Sequence, residues 1–117
     1  MSDTFSTPLG PVKTTTLYAV VSSSGDLIRG VGAVDVEKAP SPCGQYTVTF
    51  NVDVSLGCYT ATTNSADNPN RHGKMYALVA PAGSNSVVVN LFNQNGDSRD
   101  QGFFLTVTLA YGETDMT

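Results

Sequence analysis

Residues 45–54 read QYTVTFNVDV, and this stretch decides the fold of the chain. Apolar residues occupy every second position, and Gln, Thr, Asn and Asp occupy the positions between them. Successive side chains of a β-strand point to opposite faces, so the alternation predicts a strand with one buried face. β-Branched and aromatic residues fit such a half-buried strand. The residues predicted to be buried are Tyr46, Val48, Phe50, Val52 and Val54.

Other stretches of the chain have a strand composition and are separated by turn residues. They are residues 14–22, 27–38, 58–63, 75–80, 86–93 and 103–111. No segment shows the 3.6-residue period of an amphipathic helix, so no significant helix is expected. Short strands at this spacing predict an all-β protein, an antiparallel β-sandwich or jelly roll of about seven or eight strands. Residues 1–13 are predicted to be a flexible arm or linker, 14–111 the sandwich domain and 112–117 a polar tail.

Two local features refine this prediction. Gly30 and Gly32, inside residues 27–38, indicate a bulge, a bend or a close backbone approach. The short link 55–57 predicts a hairpin between strands 45–54 and 58–63. In that hairpin Cys43 and Cys58 would lie roughly 35 Å apart, which is too far for a disulfide within the chain. The hairpin therefore favours free thiols; the alternatives are pairing between chains or a different arrangement of these strands.

The composition excludes several classes of partner. The chain has 117 residues and a formal net charge of −4, and its acidic residues are scattered. Nucleic acid would require a basic stripe, and an anionic membrane surface would require a basic face, so neither is expected. The N-terminus lacks the basic and apolar regions of a signal peptide. No apolar run reaches the ~20 residues that span a bilayer, so membrane insertion is not expected.

No catalytic, cofactor or metal site is predicted. His72 is the sole histidine, and its spacing from the two cysteines matches no zinc motif. Residues 93–100 place oxygen-bearing side chains at alternate positions, as a calcium loop does, but Asn95-Gly96 is itself a strong turn signal. The carboxylates Asp35, Glu37 and Asp53 could serve glycoside hydrolysis only if the fold brought two of them within ~5–9 Å.

Three sets of surface residues are candidates for binding. Apolar residues on what should be outer strand faces predict a homo-oligomer interface; they are Tyr18, Val20, Val88, Phe92 and Phe104. Residues in the two long polar loops predict ligand or receptor contacts; they are Asn68, Asn70, Arg71, His72, Asn95, Asp97 and Arg99. The polar face of the central strand is either a sugar platform or a plain solvated face; it comprises Gln45, Thr47, Thr49 and Asn51.

The segment YAVVSSSGDLIRGVGAVDVEKAPSPCGQYTVTFNVDVSLGCYTAT (residues 18–62), with GFFLTVTL (residues 102–109), resembles a small bacterial and phage β-domain. That domain occurs at the ends of tail-fibre and collagen-like surface proteins. The Gly-x-Tyr-x-Val-x-Phe element at residues 44–50 is similar to a strand of C1q/TNF-like jelly rolls, which are trimers. The chain departs from the pattern because it has no upstream collagen repeat and no cysteine near its last strand. The family has no catalytic motif to carry over.

The resemblance implies a non-enzymatic structural or adhesive protein on a phage virion or a bacterial surface fibre. Its expected state is a homotrimeric head, fibre component or decoration protein. Residues 1–13 would attach it to other virion or fibre proteins, and the polar loops would face outward, where a surface glycan is one candidate ligand. The alternative is a soluble, lectin-like carbohydrate-binding module, which a glycan array without binding would exclude. A hydrolase would depend on His72 alone.

Overall fold

The computed structural model describes residues 12–40, 43–63 and 75–112, which form an eight-stranded antiparallel β-sandwich. The strands are β1 (Val12–Val21), β2 (Leu27–Val31), β3 (Ala33–Lys38), β4 (Gln45–Phe50), β5 (Cys58–Thr63), β6 (Tyr76–Pro81), β7 (Ser86–Phe92) and β8 (Phe103–Gly112). The first sheet has the order β2-β1-β8-β5, and the second has the order β3-β4-β7-β6. The described residues contain no helix. The predicted all-β sandwich is therefore confirmed.

The core lies between the two sheets and is built by the alternation read from the sequence. On β4 the side chains of Tyr46, Val48 and Phe50 are buried, while the residues between them are partly exposed. The neighbouring strand β7, and β1 and β8 of the facing sheet, show the same alternation and supply most of the other core residues. They are Leu17, Ala19 and Val21 of β1, Val87, Val89 and Leu91 of β7, and Phe103, Leu105, Val107 and Leu109 of β8.

The prediction of one strand over residues 27–38 was wrong, because the chain passes from one sheet to the other at Gly32. Gly32 has a φ of 82°, in the left-handed region that side chains other than glycine rarely adopt. Before it, β2 pairs with β1 in the first sheet; after it, β3 pairs with β4 in the second. The bend indicated by this glycine is confirmed, and it divides the stretch into two edge strands.

The central strand is also shorter than predicted, because it leaves the second sheet after Phe50. The Asn51 N–H donates to the Gly32 carbonyl, and the Val54 N–H donates to the Ser84 carbonyl, so neither continues the β4 ladder. Val52 is consequently exposed and not in the core, which corrects the sequence prediction. Val54 is buried as expected, but it reaches the core from the connecting segment.

The predicted hairpin between residues 45–54 and 58–63 is wrong. β4 pairs with β3 and β7 in the second sheet, whereas β5 pairs with β8 in the first. Residues 51–57 therefore cross the sandwich. Cys43 and Cys58 are free, exposed thiols, but the spacing argued from the hairpin does not apply. They lie towards opposite ends of β8, because the Cys43 thiol contacts the Ser98 carbonyl and Cys58 is paired with Thr108.

Candidate functional site

The outer face of the first sheet carries an apolar patch on β1, β2 and β8. In the strand register, Val20 lies between Phe104 and Arg29, and Tyr18 is paired with Thr106 in the next row. Val31 of β2 is exposed as well. We call Tyr18, Val20, Val31 and Phe104 the first-sheet patch. Threonines border it on β5 and β8, so it is an apolar island on an otherwise polar face.

Within this patch the predicted interface residues have different roles. Phe104 is 40% exposed and Tyr18 is exposed to a similar degree, as an interface requires. Val20 is only 4% exposed, so its prediction as an accessible contact residue is wrong. It lies outside the core cluster between the sheets, and its register neighbours Phe104 and Arg29 flank it on both sides. Val20 therefore supports the patch from below.

A second apolar patch lies on the outer face of the other sheet, so the five predicted interface residues do not form one surface. Val88 and Phe92 of β7 are paired in register with Ala80 and Tyr76 of β6. The rings of Tyr76 and Phe92 stack with centroids 5.4 Å apart and an interplanar angle of 28°. Leu78 lies between these rows and is 56% exposed. We call Tyr76, Leu78, Val88 and Phe92 the second-sheet patch.

The sequence reasoning missed Tyr76, Leu78 and Val31. A signal for the first two was present, because residues 75–80 are apolar at consecutive positions and a sandwich can bury only one face of each strand. The inward positions are taken by Ala77 and Val79, which pack against the core. The alternation of the strand then places the larger Tyr76 and Leu78 on the solvent side.

The predicted polar platform is smaller than the sequence suggested. Gln45, Thr47 and Thr49 lie on the outer side of β4 and are partly exposed, but Asn51 lies beyond the end of the strand. The hydroxyl groups of Thr49 and Ser86 hydrogen-bond each other at 3.0 Å, so one part of the platform satisfies its own polar groups.

The three acidic residues considered for glycoside hydrolysis lie in two different segments of the chain. Asp35 and Glu37 are exposed on β3, whereas Asp53 belongs to the crossing segment. The Asp53 carboxylate accepts hydrogen bonds from the Ser55 hydroxyl at 2.6 Å and the Ser55 N–H at 2.8 Å. These bonds hold the pKa of Asp53 below its ordinary value and occupy it in a local turn.

The loop before β8 is a turn closed by its own side chains. The Asn93 amide oxygen accepts the N–H groups of Asn95 and Asp97, at 2.9 and 3.0 Å, so it is committed to the backbone. Asp97 and Arg99 form an exposed ion pair at 3.8 Å. The described residues contain no group of three His, Cys, Asp or Glu side chains that could hold a metal. The predicted loop residues Asn68, Asn70, Arg71 and His72 lie outside the described residues.

A partly buried polar cluster joins three connections at one end of the sandwich. The Asp100 carboxylate accepts a hydrogen bond from the Gly44 N–H at 2.7 Å. It also forms an ion pair with the Lys38 ammonium group at 2.8 Å. The Tyr46 hydroxyl donates to the Ser23 carbonyl at 2.6 Å. Burial raises the pKa of Asp100, but the hydrogen bonds and charge of its partners outweigh burial, so this pKa lies below its ordinary value. The cluster is structural, since its polar groups are used within the chain.

The lowered pKa makes this cluster sensitive to acid. A carboxyl group whose pKa is lower in the folded state stabilises the fold above its unfolded pKa of about 3.9, and that contribution is lost as the pH falls through the folded pKa. We therefore expect the stability of the wild-type protein to fall more steeply below about pH 4 than that of Asp100→Asn. Urea unfolding at pH 6 and pH 3 measures this difference. An equal loss in both proteins would contradict the role of Asp100.

Comparison of the chain with protein-family models, with curated proteins and with solved structures found no match. Within residues 12–40, 43–63 and 75–112 there is no helix long and apolar enough to cross a membrane. The two apolar patches and the loop at residues 93–100 are therefore the features on which a proposal of function depends.

Proposed function

We propose that this protein is a non-enzymatic structural or adhesive subunit, a homotrimeric head or decoration protein of a phage virion or bacterial surface fibre. The observation that carries the proposal is the first-sheet patch. Tyr18, Val31 and Phe104 expose apolar side chains on three adjacent strands, outside the core cluster between the sheets. Contiguous exposed apolar surface rimmed by polar residues is characteristic of protein–protein contacts.

The chemistry of the patch suits the centre of a subunit interface. Tyr and Phe are enriched in interface cores, where they supply large contact areas with few rotatable bonds. Arg29, at the edge of the patch, is a residue type that interfaces also favour. The trimeric state itself is proposed from the resemblance of residues 44–50 to C1q/TNF-like jelly rolls.

The remaining surface fits a subunit that presents loops outward. The exposed residues Asn95, Asp97 and Arg99 sit on a turn that is held by its own hydrogen bonds, so its side chains can vary without disturbing the sandwich. We assign this loop to contacts with a receptor or surface glycan, and the residues that precede β1 to attachment to the particle or fibre.

Replacing Phe104 by lysine tests the proposal. We expect light scattering on a sizing column at low micromolar protein to give the wild type a mass that is a multiple of three times 12.3 kDa. Phe104→Lys removes a central aromatic group and places a charge in the contact, so we expect it to abolish the trimeric unit. Thermal unfolding of the variant checks that the sandwich remains folded.

Thr108→Lys is a matched control, because Thr108 is exposed on the same strand and the same face but outside the first-sheet patch. It changes the charge equally, and we expect its mass to equal that of the wild type. A wild-type mass without a factor of three would overturn the trimer, and equal masses for Phe104→Lys and the wild type would overturn the assignment of the interface to this patch.

A further inference from the structure

We propose that the free edge of β6 binds the β6 edge of a second copy of this chain. The two strands would pair in antiparallel fashion about a two-fold axis and join two second sheets into one continuous eight-stranded sheet. This contact is separate from the first-sheet patch and does not depend on the proposed function. It identifies a second interaction surface, at an edge of the second sheet.

Within the described residues, the outer edge of β6 has no hydrogen-bonded neighbour strand and no charged side chain. Among the described residues, β6 pairs with β7 alone and is the last strand of its sheet. Its six residues, YALVAP, contain no charged side chain, and the proline stands at the end. The opposite edge of the same sheet, β3, carries Asp35, Glu37 and Lys38. Charged residues on an edge strand discourage pairing with another chain, so the two edges differ in what they permit.

The side chains of β6 are complementary to themselves when two copies pair about Leu78. In that register Leu78 lies opposite Leu78 of the second copy, and the large Tyr76 lies opposite the small Ala80. Pro81, which has no N–H to donate, falls outside the five paired residues. A two-fold contact requires that each residue and its partner exchange places, and this pairing satisfies that requirement.

In the joined sheet, each row of apolar side chains on one copy would continue into an apolar row on the other copy. Val88 and Ala80 of one copy would continue into Tyr76 and Phe92 of the other, because these residues are already paired in register within each chain. The stacked rings of Tyr76 and Phe92 would then be covered on the side of the edge. Cross-strand pairs of aromatic and aliphatic residues stabilise a sheet beyond its backbone hydrogen bonds.

Charge favours this edge as the place where two copies meet. The chain has a net charge of −4, so two copies repel each other at most orientations. Neither β6 nor β7 contains an acidic or basic residue. Two copies can therefore approach at this edge without bringing like charges into contact. A second copy is for this reason the partner that the surface fits.

Leu78→Lys tests the contact, because it places two lysines opposite each other across the two-fold axis. Like charges at directly opposed positions are unfavourable, and we expect roughly a hundredfold weaker association. The control is Leu56→Lys: Leu56 is a leucine in a turn, 96% exposed and outside every strand. We expect Leu78→Lys to halve the light-scattering mass of the wild-type assembly and Leu56→Lys to leave it unchanged.

These masses distinguish the contact from the proposed trimer. If both interfaces exist and the β6 contacts close between two trimers, the wild type has six times 12.3 kDa and Leu78→Lys three times. If only the β6 contact exists, the wild type is a dimer and Leu78→Lys a monomer, which supports this inference while contradicting the trimer. Equal masses for the wild type and Leu78→Lys would overturn the inference and leave the trimer standing.

Cross-linking tests the register. Directly opposed residues in antiparallel strands have Cα atoms about 4.5–5.5 Å apart, which is within the range for a disulfide. In a protein carrying Cys43→Ser and Cys58→Ser, we expect Leu78→Cys to give a disulfide-linked dimer on mild oxidation. Leu56→Cys in the same background should remain a monomer on a non-reducing gel. Absence of the Leu78→Cys dimer would overturn the proposed pairing.

Discussion

Replacing Gly44 by alanine is expected to unfold the protein or to lower its stability by about 4 kcal/mol or more, since a strained backbone and a steric clash act together. Gly44 has a φ of 79°, in the left-handed region. A Cβ atom at this position would lie 2.8 Å from the Leu91 carbonyl oxygen and 2.8 Å from the Arg99 carbonyl oxygen. Both obstacles are backbone atoms, so no side-chain rotation can relieve the contact.

The backbone around Gly44 has little freedom to move away from an added methyl group. The Gly44 carbonyl oxygen accepts a hydrogen bond from the Leu91 N–H at 2.8 Å. The Gly44 N–H donates to the Asp100 carboxylate at 2.7 Å. Moving Gly44 outward would break both hydrogen bonds and leave polar groups partly buried, at about 1–3 kcal/mol for each unsatisfied group. The substitution therefore either retains the clash or loses the bonds that join the start of β4 to the loop before β8.

Gly96→Ala separates the effect of backbone conformation from the effect of the clash. Gly96 has a similar φ of 85°, but nothing lies within 4 Å of an added Cβ. We expect it to lose about 1–2 kcal/mol, the amount associated with a left-handed conformation alone. Urea unfolding of both variants measures the difference. Equal losses would show that the close packing around Gly44 has no energetic consequence.

Strand positions and their buried faces could be predicted from the sequence because they depend on local alternation. The alternation predicts that Tyr46, Val48 and Phe50 face inward, and all three are buried. The connection from β4 to β5 could not be predicted in this way. A link as short as residues 55–57 suits a hairpin, and only the contacts of residues 51–54 with distant parts of the chain, such as the bond from Val54 to Ser84, show that it crosses the sandwich.

The candidate surface was predicted in part for the same reason. The alternation indicated that Tyr18, Phe104, Val88 and Phe92 exceed what the core can bury, and the structure leaves all four at least partly exposed. Parity along a strand distinguishes inside from outside, but it does not tell which sheet a strand joins. The division of these residues between two opposite faces, and the burial of Val20 beneath Phe104 and Arg29, depend on pairings between strands far apart in sequence.

The second large effect is expected at Tyr46, where alanine should remove about 4–5 kcal/mol of stability through loss of a buried aromatic ring. The ring is fully buried and packs edge-on against Phe103, with centroids 5.2 Å apart. Its hydroxyl donates to the Ser23 carbonyl and accepts the Gln101 N–H at 3.3 Å. Tyr46 therefore joins the core to the polar cluster at the end of the sandwich.

Tyr46→Phe divides this effect between the ring and the hydroxyl. It keeps the ring and its packing but leaves the Ser23 carbonyl and the Gln101 N–H without their Tyr46 partner, for an expected loss of about 1–3 kcal/mol. Tyr18→Phe is the matched control, because the Tyr18 ring is exposed on the first-sheet patch, and we expect a change within about 0.5 kcal/mol. Chemical denaturation of the three variants gives the values. If Tyr46→Phe were as stable as the wild type, the hydroxyl would add nothing to the cluster, and the link between core and loops would depend on the ring and on Asp100.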